Sequence, residues 1–439
     1  MPQVLKTDQR AVPAGLRFRC GETMMSGDTG RASSHYAFLL AWPFHTLGGV
    51  EEVLRNLLHE FHSAGEIEPM AIEVSGRGEG TMPSLAGQPW PSICSGPIDS
   101  WNPRSPWRSL VISCIKAPVV LFKLRAICRR YSIRVLNPHF IGMEYWPLLP
   151  LRKLGLFRGK LVLSIHGSDI REMIQSRGLQ RRLFRMLLRG ADALVACSES
   201  LREEILGFVP ECASRTVTIH NGIDAAAFLA PPTDPFRLPA WLAGRQIVLN
   251  IGAFVYNKGQ DILLRAFKIL RANHPNAALV IVGYGNSAAI AKLGVDLGID
   301  DDLLLLENIP HVQIASLLKR ADVFAFSTRW KKGVYGEGFG MALLEAGAAK
   351  TPIVTTLTGS AAEIIEDGVT GRIVPTEDPE ALADAISGVL SDPATAMQMA
   401  LRLNERVIEQ FTWKHAYQKY VRLADGLPVK PAGSGKHSG

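Results

Sequence analysis

The chain has 439 residues, of which 47% are hydrophobic and 20% charged, too long for one ordinary core, so two domains are the expectation. Its longest apolar run, Leu110 to Phe122, is broken by Lys116 and Pro118 and falls short of a membrane span; no apolar leader with a small-residue cleavage site is visible. The six cysteines form no CxxC pair, which points to a reduced, cytoplasmic setting, and the net charge of +7 lies in the first half: residues 1–225 carry 27 basic and 20 acidic side chains, against 21 and 21 in the remainder.

Residues 1–33 are rich in Gly, Ser, Arg and Thr without periodicity and read as a flexible tail. A buried strand follows over His35–Trp42, then the turn His45-Thr46-Leu47-Gly48-Gly49 and a helix over Val50–Phe61. Strands over Arg134–Asn137, Lys160–Ile165, Ala193–Cys197 and Thr216–Ile219, each beside a helical pattern, make residues 34–228 a parallel α/β domain. Within it, residues 101–190 hold 18 basic side chains and three acidic ones (Glu144, Asp169, Glu172), a field that draws anions. From Arg177 to Arg189, four arginines (Arg181, Arg182, Arg185, Arg189) alternate with Leu183, Phe184, Leu187 and Leu188. That pattern fits either an ordinary domain helix or one lying on an anionic membrane. No nucleic-acid-reading motif accompanies the charge, so nucleic acid is not expected as a partner.

Four prolines in Ala230–Pro239 mark a linker over 229–245. The alternation restarts in a second α/β domain, 246–405, with strands Gln246–Ile251, Leu279–Val282, Leu303–Leu306, Val323–Ser327 and Pro352–Thr355 and helices Gln260–Asn273 and Met341–Ala349. The helical stretch Pro393–Ala424 is long enough for residues 406–426 to pack back on the first domain, and 427–439 read as a disordered tail. The tail's Gly-Ser-Gly-Lys lacks the first glycine and the Ser/Thr of a phosphate loop.

The densest chemical signal is the run Gly336 to Ala346, where a glycine-rich loop enters a helix. A helix N-terminus there, with unpaired N–H groups and partial positive charge, suits a diphosphate. Glu337 lies just before the helix and Glu345 about two turns along it; eight helical residues rise roughly 12 Å, comparable to the span from a donor sugar to the ribose of its nucleotide. Two readings stand on these residues alone: a clamp for both ends of one ligand, or two solvated glutamates.

This run resembles the E-x7-E motif of family 4 retaining glycosyltransferases (glycosyl transferases group 1), and the resemblance extends from about Ser34 to Trp413. Other landmarks follow in order: Gly48-Gly49-Val50-Glu51, His166-Gly167-Ser168-Asp169, Ser198-Glu199-Ser200, Asn221-Gly222-Ile223-Asp224, Lys258-Gly259, Gly283-Tyr284-Gly285, and Thr358-Gly359-Ser360 with Glu363. The resemblance implies a GT-B fold, two Rossmann-like doubly wound parallel-sheet domains facing across a cleft, with the acceptor on the first and the donor nucleotide on the second. It implies catalytic roles for His166, Glu337 and Lys258, and donor contacts from Gly49, Asn221, Gly252, Lys258, Glu337, Gly338, Phe339, Gly340 and Glu345. Glu345 would hold the ribose, Glu337 the sugar hydroxyls, and Lys258 the diphosphate as its charge grows.

One departure stands out: the family usually places Arg after the glycine at Gly252, and here Ala253 follows. Arg329, Lys331 or Lys332 are candidate replacements. No metal or other cofactor is expected beyond the nucleoside-diphosphate sugar as donor; the only D-x-D, Asp300-Asp301-Asp302, reads as a solvated turn. The implied reaction is retaining, by front-face displacement, onto a carbohydrate or lipid-linked acceptor of glycan or exopolysaccharide synthesis. The implied setting is cytoplasmic, with peripheral contact to the inner face of an anionic membrane through residues 101–190. The alternatives are a non-catalytic nucleotide- or glycan-binding protein, or a sugar epimerase or phosphorylase on the same architecture.

Overall fold

The computed structural model describes residues 3–6, 35–42, 49–74, 80–81, 88–95, 105–231 and 234–429. Short apolar runs assemble into two sheets. The first has eight strands in the order Gly80–Thr81, Ser92–Cys94, Glu68–Glu73, His35–Leu40, Ile133–Pro138, Lys160–Ile165, Ala193–Ala196 and Thr216–Thr218. Its pairs are parallel except that of Gly80–Thr81 with Ser92–Cys94. The second has seven parallel strands in the order Gln3–Lys6, Leu303–Glu307, Ala277–Gly283, Gln246–Ile251, Val323–Phe326, Ile353–Thr356 and Arg372–Val374. Central strands such as Phe38 to Leu40 and Leu279 to Val282 are buried along their whole length because helices cover both faces, which is why they read as unbroken apolar runs. The fold is the two-domain, doubly wound GT-B arrangement.

Two features differ from the sequence reading, and a third decides between its alternatives. Residues Gln3–Lys6, placed above in a tail, form a parallel edge strand of the second domain's sheet, with Gln3 opposite Leu304 and Lys6 opposite Glu307. Four residues whose partner lies some 300 positions away leave no local signature. Apart from these four residues and those from 427 to 429, the two expected tails lie outside the described residues. The final helical stretch is two helices, Pro393–Gln410 and Trp413–Asp425, separated at Phe411-Thr412; the Thr412 hydroxyl accepts the His415 N–H and starts the second. Trp413, Tyr417 and Tyr420 then pack into the first domain's core beside Tyr36, Phe38 and Phe61, so the return to that domain begins at Trp413.

The third feature lies in the basic half. Helix Gly178–Gly190 buries Leu183, Phe184, Leu187 and Leu188. Arg181 stacks on Phe208 and donates to the Ile174 carbonyl, while Arg185 and Arg189 both pair with Glu211. It is an ordinary domain helix. The long element of this region is the 25-residue helix Pro106–Arg130, which turns Ser109, Ser113, Leu121, Leu124 and Cys128 toward the domain. Among the described residues no helix is long and apolar enough to cross a membrane.

Candidate functional site

The C-terminal ends of both sets of strands face a cleft of about 520 Å³, the place where open α/β sheets bind ligands. Of the ten candidate residues, Gly49, His166, Asn221, Gly252, Lys258, Glu337, Gly338, Phe339 and Glu345 line it. Gly340 does not: it is buried as the cap residue of helix Met341–Ala348, against Leu343 and Phe326. Gly48, with the turn preceding it, lies outside the described residues.

Lys258 reaches the cleft because strand Gln246–Ile251 ends in a loop that tightens into a short turn, Tyr256–Lys258, and closes at Gly259. Gly259 has φ +61°, and a Cβ there would sit 2.0 Å from the Ser327 carbonyl oxygen, so only glycine fits. The Lys258 ammonium donates to the Glu337 carboxylate at 2.6 Å and lies 5.4 Å from the centre of the Phe326 ring. The two groups expected to hold donor phosphate and donor sugar therefore hold each other.

Helix Met341–Ala348 starts four residues after Glu337, so Glu345 is its fifth residue and the helical rise covers only half of the Glu337–Glu345 interval. The amides of Met341 and Ala342, at the helix start, belong to residues that line the cleft. Glu345 accepts a hydrogen bond from His311 Nε2 at 2.9 Å, a contact that raises the imidazole pKa above its ordinary value. His311 opens helix His311–Arg320 and carries no motif of its own; sequence reading missed it.

His166 sits at the head of a buried relay. Asn137 donates its amide to Val162 O and Ser164 Oγ, which leaves Oδ1 as acceptor for Tyr36 OH and His139 Nε2. Burial pushes the His139 pKa well below normal, so the ring is neutral and its Nδ1 accepts from His166 Nε2, 2.9 Å away. Burial also holds His166 down, to about 4, so its Nδ1 remains as the ring's acceptor. The turn carrying His166 is pinned by Asp169, whose buried carboxylate accepts the N–H groups of His166, Gly167, Ile170 and Ile141; burial raises its pKa against the pull of those four amides.

The glycine-rich loop bridges the two domains. Arg171, paired bidentately with buried Glu204, donates to the Gly336 and Glu337 carbonyls, and Ser198 Oγ donates to Gly338 O at 2.7 Å. A Cβ on Gly338 would lie 1.8 Å from His166 O, so this contact also demands glycine. Glu363 accepts from the Glu199 and Ser200 N–H groups and meets His220, which stacks on Phe339. The Ser-Glu-Ser and Glu363 landmarks thus join the two domains rather than lining the cleft.

No cation stands directly after Gly252, where the resemblance expects an arginine: the residue there is Ala253. Ala253 is 3% exposed at the cleft wall. Arg329 does not substitute for that arginine: its guanidinium is bound to both oxygens of Asp261 at 2.8 Å, to Glu377 at 2.6 Å, and stacks 4.1 Å from the Tyr256 ring centre. Lys331 and Lys332 are exposed and do not line the cleft, and Lys332 lies 3.5 Å from Glu203. Among the described cleft residues the cations are Lys258 and Arg55, the latter on helix Gly49–Ala64 and paired with Glu52. Of the D-x-D run, Asp302 is paired with Arg245 and Arg271, and no cluster of three or more His, Cys, Asp or Glu suited to a metal occurs among the described residues.

Residues 239–408 match the family model described as glycosyl transferases group 1, and residues 47–227 match that of glycosyltransferase family 4. The chain is similar to a GDP-mannose-dependent alpha-(1-6)-phosphatidylinositol monomannoside mannosyltransferase of Mycolicibacterium smegmatis, 29% identical over 272 residues, 61% of this chain and 70% of that one. It is 33% identical to a glycogen synthase of Mycobacterium tuberculosis over 233 residues, 52% of each chain, and so spans about half the length of that relative. The structure of Anabaena Alr3699/HepE in complex with UDP and glucose superposes with a TM-score of 0.67 at 18% identity, covering 90% of this chain and all of that one.

Proposed function

Because the chain belongs to the glycosyl transferases group 1, with a family 4 first domain, we propose that it moves a hexosyl group from a nucleoside-diphosphate sugar to a hydroxyl acceptor, with retention of configuration and without a metal. The observation that carries this reading is the convergence of His166, Lys258, Glu337 and Glu345 on one cleft beside a helix N-terminus. The entering donor separates the Lys258–Glu337 pair: Glu337 takes sugar hydroxyls and Lys258 turns to the diphosphate. As the glycosidic bond breaks, charge grows on that diphosphate, where Lys258 and the amides of Met341 and Ala342 stabilise it. The acceptor attacks from the face the diphosphate leaves, and the departing phosphate oxygen takes the acceptor's proton. His166, neutral and fixed in orientation, accepts a hydrogen bond from the donor sugar. The mannosyltransferase relative's name specifies a phosphatidylinositol monomannoside, which supports a lipid-linked glycan as acceptor here, met at a membrane surface.

A thermal-shift screen with UDP, GDP, ADP and their sugar conjugates tests the donor half. One nucleotide series should raise the melting temperature, and Glu345→Ala should abolish the rise. No shift with any series would instead support a protein that does not use nucleotide sugars, a reading that Ala253, in place of the family's usual arginine, favours. Nuclear magnetic resonance of the product's anomeric centre tests retention, and undiminished turnover in chelator tests metal independence.

A further inference from the structure

The 25-residue helix Pro106–Arg130 is apolar on two opposite sides. One side packs on the first domain through Leu121, Leu124 and Cys128. On the other, Trp107, Val111, Ile115, Val119 and Phe122 recur at spacings of four, four, four and three, which places them in one stripe. Each is between 58% and 76% exposed. A stripe over fifteen residues runs roughly 22 Å along the surface. Single exposed apolar residues need no explanation, but five in register on one helix face do.

We infer that this stripe is a membrane-docking face, which seats the first domain on an anionic lipid surface. The charge beside it selects the occupant. The helix carries six basic side chains, Arg108, Lys116, Lys123, Arg125, Arg129 and Arg130, and no acidic one. An apolar stripe edged by cations matches the interface of an anionic bilayer, where apolar side chains enter the headgroup boundary while basic ones meet phosphate. A second copy of the chain is a poor occupant, since two-fold pairing of this face would bring like charges together. The position also fits. The helix ends two residues before strand Ile133–Pro138, whose start lies opposite the cleft, so its Trp107 end points toward the cleft end of the sheet. The inference extends the proposed lipid-linked acceptor, and it stands or falls separately from the donor chemistry.

The test is co-sedimentation of the full chain with phosphatidylcholine vesicles with and without phosphatidylglycerol. Binding should require phosphatidylglycerol and weaken as salt rises. Ile115→Glu combined with Phe122→Glu should weaken it about tenfold or more, whereas Met186→Glu, on helix Gly178–Gly190, should leave it near wild type. Trp107→Phe should remove most of the vesicle-induced fluorescence change. Thermal shift with nucleotide, run on the same variants, reads folding and the donor site independently. No binding to anionic vesicles, binding that the paired substitution leaves intact, or a change of oligomeric state by light scattering in that variant would each overturn the assignment.

Discussion

His166 shows how a single ring is prepared for one hydrogen-bonding role by residues that never reach the cleft wall. Its tautomer follows from Asn137 and His139 behind it, because the Asn137 amide is committed to Val162 and Ser164 and the two imidazoles are kept neutral by burial. His139 is therefore a positioning residue. His139→Leu should lower kcat about tenfold while nucleotide affinity stays near wild type, and His139→Gln, whose amide can both donate to Asn137 and accept from His166, should restore most of the loss. Equal damage from both variants, or a parallel loss of nucleotide binding, would assign His139 to packing alone. His311 makes the opposite case. Its pKa is raised, chiefly by its hydrogen bond to Glu345. A ribose that takes both Glu345 oxygens removes that bond, lets the pKa fall back, and releases a proton. Nucleotide affinity should then rise with pH from about 6.5 upward, through the window between the ordinary and the raised value, and His311→Ala should flatten the profile. Calorimetry in buffers of different ionisation enthalpy would count the proton directly.

At the scale of elements, the strands with continuous apolar runs were legible: Lys160–Ile165 and Gln246–Ile251 match the reading residue for residue. Glu68–Glu73 was not, because charged residues at both ends disguise a strand buried by its neighbours. Helix Pro106–Arg130 was not either, since apolar residues on both of its sides erase the 3.6-residue period that reveals an amphipathic helix. The candidate site is legible where cleft residues lie in contiguous motifs, as at Lys258, Glu337 and Glu345. It is hidden at His139, Arg55 and His311, which only the fold brings to the others. The turn before helix Gln260–Leu270 carries the sharpest local demand. Gly259→Ala combines a left-handed backbone with a Cβ 2.0 Å from Ser327 O, so it should destabilise by about 1–3 kcal/mol and displace Lys258. Chemical denaturation measures the first effect, and loss of the nucleotide-induced thermal shift measures the second. Wild-type stability in this variant would show that the turn adopts another conformation.

For the whole molecule, the loop that carries Glu337 belongs to the second domain and is held by side chains of the first. The clasp consists of Arg171 on the Gly336 and Glu337 carbonyls, Ser198 on Gly338 O, and Glu363 on two amides of the first domain. The return of the chain through Trp413–Asp425 ties the domains again on the far side of the cleft, with Arg134 paired to Asp425 and Lys160 donating to Leu423 O. A helical tether at one side and a polar clasp at the other hold the two domains together, and weakening the clasp is predicted to open the cleft. Glu363 tests the clasp without touching the cleft, which it does not line. Glu363→Ala leaves the Glu199 and Ser200 amides without their acceptor and His220 without its carboxylate, a loss of order 1–3 kcal/mol that falls on the closed state alone. Nucleotide binding through the second domain should change little, since Lys258 and Glu345 keep their positions. The rate of transfer should fall about tenfold or more, and small-angle scattering should report a larger radius for the variant than for wild type. If transfer falls while the scattering profile with bound nucleotide stays that of wild type, Glu363 acts on the site by some route other than closure.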